Sequence, residues 1–333
     1  MYAAANTLDD LMHKALTKLL RCKEKIKPTK GDAVEIRGAL LKLNNPRARL
    51  SGTETKGTIF SCLGELLWYL SGSDDAMMID YYIRGYSRFA EADGRVHGAY
   101  GPRLHSLRGI NQIENIRQSL KRDDSRQAVI QLFGAEDIDK KYNDVPCTCT
   151  IQFFRRGGKL DLFVSMRSND AFVGLPHDVF SFTMLQEIFA RDAGLELGNY
   201  SHAVGSLHLY DSDRPKAQAY LAEGWQTEVE MPSMPKGDPW VALRQLLSLE
   251  DALRNGAPPA VQSMPAYWQD LGSLLRIYSL TRGHRHLPRK DLREVARIKQ
   301  EMSTNLYSQY IRRREVRLEG AVTSLLELAN ADQ

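Results

Sequence analysis

The hydrophobic pattern changes period several times along the chain, and each change marks an element. From residue 7 to 21, Leu8, Leu11, Met12, Ala15, Leu16 and Leu19 recur at helical spacing behind Thr7, an N-cap residue, with Asp9 and Asp10 in the first turn. The segment KGTIFSCLGELLWYLSGSDD (56–75) predicts a second, more deeply buried helix that stops near Gly72. It carries Glu65 in its apolar middle, and a carboxylate there calls for a reason. Between 125 and 167 the pattern becomes that of strands: SRQAVIQLF, CTCTIQFF, then KLDLFVSMRS after Gly157–Gly158, a hairpin signal. This pairing is expected to leave Cys147 and Arg167 at opposite ends of the paired strands. A long helix is expected at 178–192, closed by Gly194.

Beyond residue 240 the composition shifts to Leu-rich helical runs (WVALRQLLSLEDALR, WQDLGSLLRIYSL, TSLLELA) alternating with the basic stretches RKDLREVARIK and IRRREVRLEG. The proline-bearing stretch EMPSMPKGDP marks the junction, so the expected organisation is a domain at 1–240 and an α-helical extension at 241–333. No stretch approaches the roughly 20 apolar residues of a membrane span, and no secretory signal opens the chain, so a cytoplasmic protein is expected. The cysteines (Cys22, Cys62, Cys147 and Cys149) are too scattered for a disulfide framework or a paired zinc pattern, which leaves a reduced, reactive thiol as the role for any special one. A net charge of +4 suits a phosphate-bearing substrate without calling for a nucleic acid.

Several segments then occur in an order that carries a resemblance: GELLWYLSG, HGAYG, DDSRQAVIQ, VPCT, MRSNDAFVGLPHDVFSF and SHAVGSLHLY. Together, over about residues 32 to 213, they resemble the thymidylate synthase family, which includes the pyrimidine nucleotide hydroxymethylases. The resemblance implies an α+β fold with a large mixed sheet flanked by helices. It also implies a pyrimidine nucleoside monophosphate as substrate, 5,10-methylenetetrahydrofolate as co-substrate, no metal, and a homodimer in which Arg126 reaches the partner's site.

Residue by residue, a buried free cysteine is more often inert packing than a nucleophile. Cys147, however, matches the family's cysteine, which adds to C6 of the pyrimidine and so makes C5 nucleophilic. Cys149 is expected on the same strand face in a structural role. Arg167 and Ser168 match a pair that holds the phosphate, the arginine also favouring the thiolate; taken alone, Arg167 would be a surface ion-pair residue. Asn169 joins them at the substrate, and Asp170 and Tyr100 match positions lining the nucleotide and folate sites. Where many synthases carry a second arginine after Arg126 this chain has Gln127, and Lys27, Lys30 or Arg37 are candidates to compensate. His208 and Tyr210 match the residues that bind the sugar hydroxyl, although a His and a Tyr two apart are ordinarily a half-buried strand face. Ser206 departs from the family's aspartate. Tyr86 and Phe89 replace tryptophans that flank the folate ring, and Glu65 matches a glutamate that organises water and proton transfer.

The resemblance implies that Asp178 selects the base. The synthases carry an asparagine there, suited to the O4 and N3–H edge of uracil, whereas an aspartate accepts from the amino group of cytosine and, when protonated, donates to N3. The local alternative is a helix N-cap, and both roles stay open. Neighbouring His177 stands in place of an apolar aromatic residue, either tuning that carboxyl or packing. Cytidylate (dCMP or CMP) 5-hydroxymethylation is therefore the leading expectation. A thymidylate synthase methylating dUMP is the alternative, and a nucleic-acid or partner-binding role for the basic helices is a third.

Overall fold

The computed structural model describes residues 1–316 except 29, 123, 259–262 and 285. The TSLLELA run lies outside the described residues, as does the end of the last basic stretch. The chain divides into two compact units, Met1–Pro239 and Trp240–Gln333.

In the first unit β1 (Tyr2–Ala5) leads into α1 (Leu8–Leu20), capped by Thr7, whose side chain accepts from Asp10 N at 3.0 Å. Its apolar stripe is buried, each large side chain contributing about 1.5–3 kcal/mol. β2 (Lys25–Ile26) and β3 (Ala33–Leu43) follow, then α2 (Ile59–Ser71), which ends where Gly72 turns left-handed (φ 76°). Next come α3 (Ala76–Tyr82), α4 (Tyr100–Ser106) and α5 (Gln112–Ser119), then β4 (Val129–Gln131), shorter than its apolar run suggested. β5 (Thr148–Arg156) and β6 (Lys159–Asp170) form the expected hairpin, with both Gly157 and Gly158 at positive φ, as a two-residue turn of matching twist requires. α6 (Gly174–Asp192) crosses over to β7 (Glu196–Tyr210), and α7 (Arg214–Ala222) follows. The second unit contains α8 (Trp240–Arg254), α9 (Ala266–Thr281) and α10 (Arg289–Glu301). No helix among the described residues is long and apolar enough to cross a membrane.

The strands form one mixed sheet in the order β1-β3-β7-β6-β5-β4, with β2 on β3. β6 and β7 are parallel, so their C-terminal ends lie at the same edge, and the antiparallel β5 begins there. α6 is held on the sheet by Gln186, whose amide donates to Leu160 O and Asn199 O (2.8 and 3.1 Å). That edge gathers the end of β6 with residues 167–170, the end of β7 with 206–210, the head of β5 with Cys147, and the start of α6. Convergence of this kind at the carboxyl ends of parallel strands is where α/β sheets place their ligands.

Candidate active site

Cys147 and Arg167 are neighbours, not residues at opposite ends: Arg167 N donates to Cys147 O at 2.8 Å. In an antiparallel hairpin the head of one strand lies against the tail of the next, so both stand at the end remote from the turn. The guanidinium donates through Nε to Pro146 O and through Nη2 to Val145 O, both at 2.8 Å, and reaches Cys147 Sγ at 3.7 Å. Gly205 faces it across the sheet, and a Cβ there would stand 2.8 Å from Arg167 O, so β7 can close on β6 at this point only without a side chain. Cys149 does not share a simple alternation with Cys147. The register shifts between Thr148 and Thr150, a bulge in which Cys149 O accepts from both Leu132 N and Phe133 N.

Burial pushes the Cys147 thiol up to about 11, and Arg167 only partly opposes it. The resting protein therefore holds a thiol near neutrality: Arg167 favours the thiolate as expected, but burial outweighs it. One unforeseen residue, Asp144, and one of the three candidate cations, Lys30, belong to this corner. Asp144 is held above the usual carboxylate range by burial, opposed by Lys30 and Arg167, and Lys30 lies 4.5 Å from the centre of the Phe89 ring. Lys30 thus joins the site, whereas Arg37 is paired with Glu24 at 2.7 Å.

Asp178 is no N-cap. α6 begins four residues earlier than expected because Asp170 Oδ1 accepts from Phe172 N and Val173 N (2.8 and 2.9 Å), and Pro176 needs no donor in the first turn. Asp178 consequently sits on the second turn, 8% exposed, and burial together with the charge of Glu65 holds its carboxyl well above the usual range. Its Oδ2 accepts from Asn169 Nδ2 at 2.6 Å, and Asn169 Oδ1 meets His202 Nε2 at 3.1 Å. His177 does not touch this carboxyl through a hydrogen bond: its Nδ1 lies 3.0 Å from Val173 O and its Nε2 2.9 Å from Ser61 Oγ.

Glu65 accepts from Tyr69 Oη at 2.6 Å, a partner one turn along α2, and burial pushes it up to about 7 despite that bond. Tyr69 stacks near Tyr100 (4.8 Å between rings), whose hydroxyl donates to Thr148 Oγ1 at 2.9 Å, directly after Cys147. Glu65, Tyr69, Tyr100, Cys147 and Asp178 therefore form one cluster, in which Tyr69, Tyr100 and Asp178 are buried and Glu65 and Cys147 half-buried. Ser168 Oγ lies 3.5 Å from His208 Nδ1, His208 packs edge-on against Tyr210, and Ser206 donates to Glu35 at 2.5 Å. Tyr86 packs edge-on against Trp68 and Phe89 (5.5 and 5.3 Å), giving a half-buried aromatic surface. Lys56, 7% exposed and 4.5 Å over the Phe172 ring, was not foreseen. Arg126 is exposed and stands outside the cluster.

A carboxyl raised to about 7 lowers stability as pH climbs. Between its ordinary value near 4.3 and 7 the folded chain binds more protons than the unfolded one, so stability present at low pH is lost as pH rises through 7. Glu65→Gln mimics the protonated form. It should raise the unfolding midpoint by about 2–6 °C at about pH 8, a gain that shrinks toward about pH 5. Thermal melts of both proteins across that range check it, and an equal midpoint at high pH would contradict a buried, protonated Glu65.

A thiol beside an arginine, two raised carboxyls and a paired serine and histidine at one sheet edge make a site for nucleophilic addition with proton transfer to an anionic substrate. A sequence model of thymidylate synthase matches residues 10–236, which span this cluster and every strand of the sheet except β1. The chain belongs to the thymidylate synthase family.

Proposed function

We propose that the protein is a cytidylate 5-hydroxymethyltransferase acting on dCMP or CMP. Family membership gives folate-dependent one-carbon transfer to C5 of a pyrimidine nucleotide. The observation that carries the finer reading is the buried, raised carboxyl of Asp178 at the position that selects the base. A neutral carboxylic acid offers the donor that N3 of cytosine lacks and the acceptor that its amino group needs.

In this reading Arg167 and Ser168 hold the phosphate, with Arg126 supplied by a second copy of the chain. His208 and Tyr210 hold the sugar, and Tyr100 and Asp170 line the pocket. The Tyr86 and Phe89 surface, with Lys30 and Arg88 over the Phe89 ring, fits a flat heteroaromatic ring with an anionic tail, as folate has. Methylenetetrahydrofolate supplies a carbon at the oxidation level of formaldehyde. Cys147 loses its proton and bonds C6 while Asp178 protonates N3, which gives C5 enamine character. C5 bonds the incoming carbon and then loses its hydrogen as a proton to water while the bond from that carbon to the folate nitrogen breaks, which leaves an exocyclic methylene and free tetrahydrofolate. Water oriented by Glu65 adds to that carbon, its proton passes to the carboxylate, N3 returns its proton, and the bond from C6 to Cys147 breaks. The net reaction consumes one water, releases tetrahydrofolate and needs no hydride. Methylation would instead convert the folate to dihydrofolate.

Incubation with methylenetetrahydrofolate and dCMP, CMP or dUMP in turn, with the product weighed and dihydrofolate followed by its absorbance, tests this. A hydroxymethyl product from a cytidylate without dihydrofolate is expected. A methyl product from dUMP accompanied by dihydrofolate would replace this reading with thymidylate synthesis.

A further inference from the structure

A neutral carboxylic acid cannot by itself tell cytosine from uracil. With the proton on one oxygen it matches the amino group and N3 of cytosine, and with the proton on the other it matches O4 and N3–H of uracil. Selection requires something that decides which oxygen of Asp178 carries the proton.

Behind Asp178 runs a chain of buried hydrogen bonds. Asp178 Oδ2 is 2.6 Å from Asn169 Nδ2, Asn169 Oδ1 is 3.1 Å from His202 Nε2, and His202 Nδ1 is 2.6 Å from Tyr200 Oη. Asn169 lies at the end of β6, while His202 and Tyr200 occupy one face of the adjoining β7; Asn169 is 4% exposed, and His202 and Tyr200 are fully enclosed. Burial pushes the imidazole down to about 3, so it is neutral and carries a single ring proton. Such a chain has two self-consistent polarities. In one, Tyr200 donates to Nδ1, Nε2–H donates to Asn169 Oδ1, and the Asn169 amide donates to Asp178. In the other every bond reverses, and Asp178 must place its proton on Oδ2 to donate to Asn169.

The end of the chain chooses between them. Among the described residues His202 is the hydrogen-bond partner of the Tyr200 hydroxyl, and in the reversed polarity that O–H would point at no acceptor. An unsatisfied buried donor is costly, which favours the first polarity by roughly fivefold or more. Asp178 Oδ2 then faces an N–H and stays an acceptor, so the acid proton is confined to Oδ1.

We propose that Tyr200, His202 and Asn169 are positioning residues that fix the proton of Asp178 on Oδ1 and so turn an ambiguous carboxyl into a reader of cytosine. With the base bound so that C4 lies on the Oδ2 side, Oδ2 accepts from the amino group and Oδ1–H donates to N3. This rests on the cytosine reading above and adds the device that enforces it. It also assigns Asn169 an indirect part in substrate binding, since both ends of its amide are engaged within the protein.

Tyr200→Phe tests the idea by removing one oxygen from the far end, leaving a ring of the same shape. Freed of its fixed donor, His202 can take either tautomer, so the ratio of kcat/KM for dCMP over dUMP should fall by about tenfold, mainly through a gain on dUMP. Nitrogen-15 NMR of the imidazole should show the proton on Nε2 in the unsubstituted enzyme and a mixture in the variant. The measurement on the unsubstituted enzyme stands even where the variant does not fold, and a proton on Nδ1 there overturns the proposal. Asp178→Asn run alongside separates the two ideas. If the enzyme prefers dUMP, or if Asp178→Asn leaves dCMP turnover intact, the cytosine reading falls and the relay with it. If that reading survives while Tyr200→Phe changes neither ratio nor tautomer, only the relay is wrong.

Discussion

Cys147→Ser should abolish turnover, by about 10⁴-fold or more, while leaving the fold and nucleotide binding in place. The hydroxyl is a far weaker nucleophile than a thiolate. Arg167 is already committed to Val145 O and Pro146 O and lies 3.7 Å from the sulfur, so it steadies a forming thiolate without removing a proton. Structurally the exchange is small. Sγ makes one long contact with Arg167, and the strand head is held by backbone bonds such as Arg167 N to Cys147 O, so stability should change by less than about 1 kcal/mol. A trapping experiment reads the step itself. With fluorine at C5 of dCMP no proton can leave that carbon, so the bond between Cys147 and C6 should persist and add nucleotide and folate to the intact mass. Cys147→Ser should show no such adduct. Residual turnover within tenfold of the unsubstituted enzyme, from a folded variant, would remove Cys147 from its assigned role.

What could be read along the chain beforehand was local. Thr7, Gly72 and the Gly157–Gly158 pair each act within a few residues, and each stands where the pattern put it. The segments MRSND and SHAVGSLHLY likewise end at one sheet edge, because β6 and β7 run parallel across α6, whereas Arg126 of DDSRQAVIQ stands outside the cluster. The misplaced features depend on pairing or on competition for donors. Cys147 and Arg167 are separated in sequence but adjacent through hairpin register, and the bulge at Cys149 is a shift in the pairing of β5 with β6 that no local pattern marks. The helix α6 starts earlier than Asp178 because the chain before it is held by Asp170, whose carboxylate accepts from Phe172 N and Val173 N. The residues behind Asp178 carried no signal of their own. Tyr200 and His202 alternate on β7 like any buried face, and only contact with Asn169 across two strands gives them meaning. Tyr69, by contrast, lies one helical turn from Glu65 and was open to inference from spacing alone.

Asp178→Asn should lower kcat/KM for dCMP by about 10³-fold or more, with a much smaller change in dCMP binding. An amide still offers one donor and one acceptor, so the edge of cytosine can be held in the ground state. It cannot surrender a proton to N3 as that nitrogen gains basicity after addition at C6, so the loss should fall on kcat. Activity on dUMP, which does not call on that proton, should change little, and the dCMP to dUMP ratio should fall by about the same factor. The relay sharpens this outcome. In the single variant the Asn169 amide still donates toward residue 178, so the carbonyl of the new asparagine is the group that faces it and the amide is turned to suit cytosine rather than uracil. Adding Tyr200→Phe frees Asn169 to reverse, letting the asparagine present N–H toward O4 and its oxygen toward N3–H. The double variant should therefore use dUMP better than either single one, a coupling that independent sites would not show. Kinetics of the four proteins on both nucleotides measure it. Retention of dCMP turnover within tenfold in Asp178→Asn would mean that this carboxyl is packing, and that cytosine, if it is the substrate, is read elsewhere.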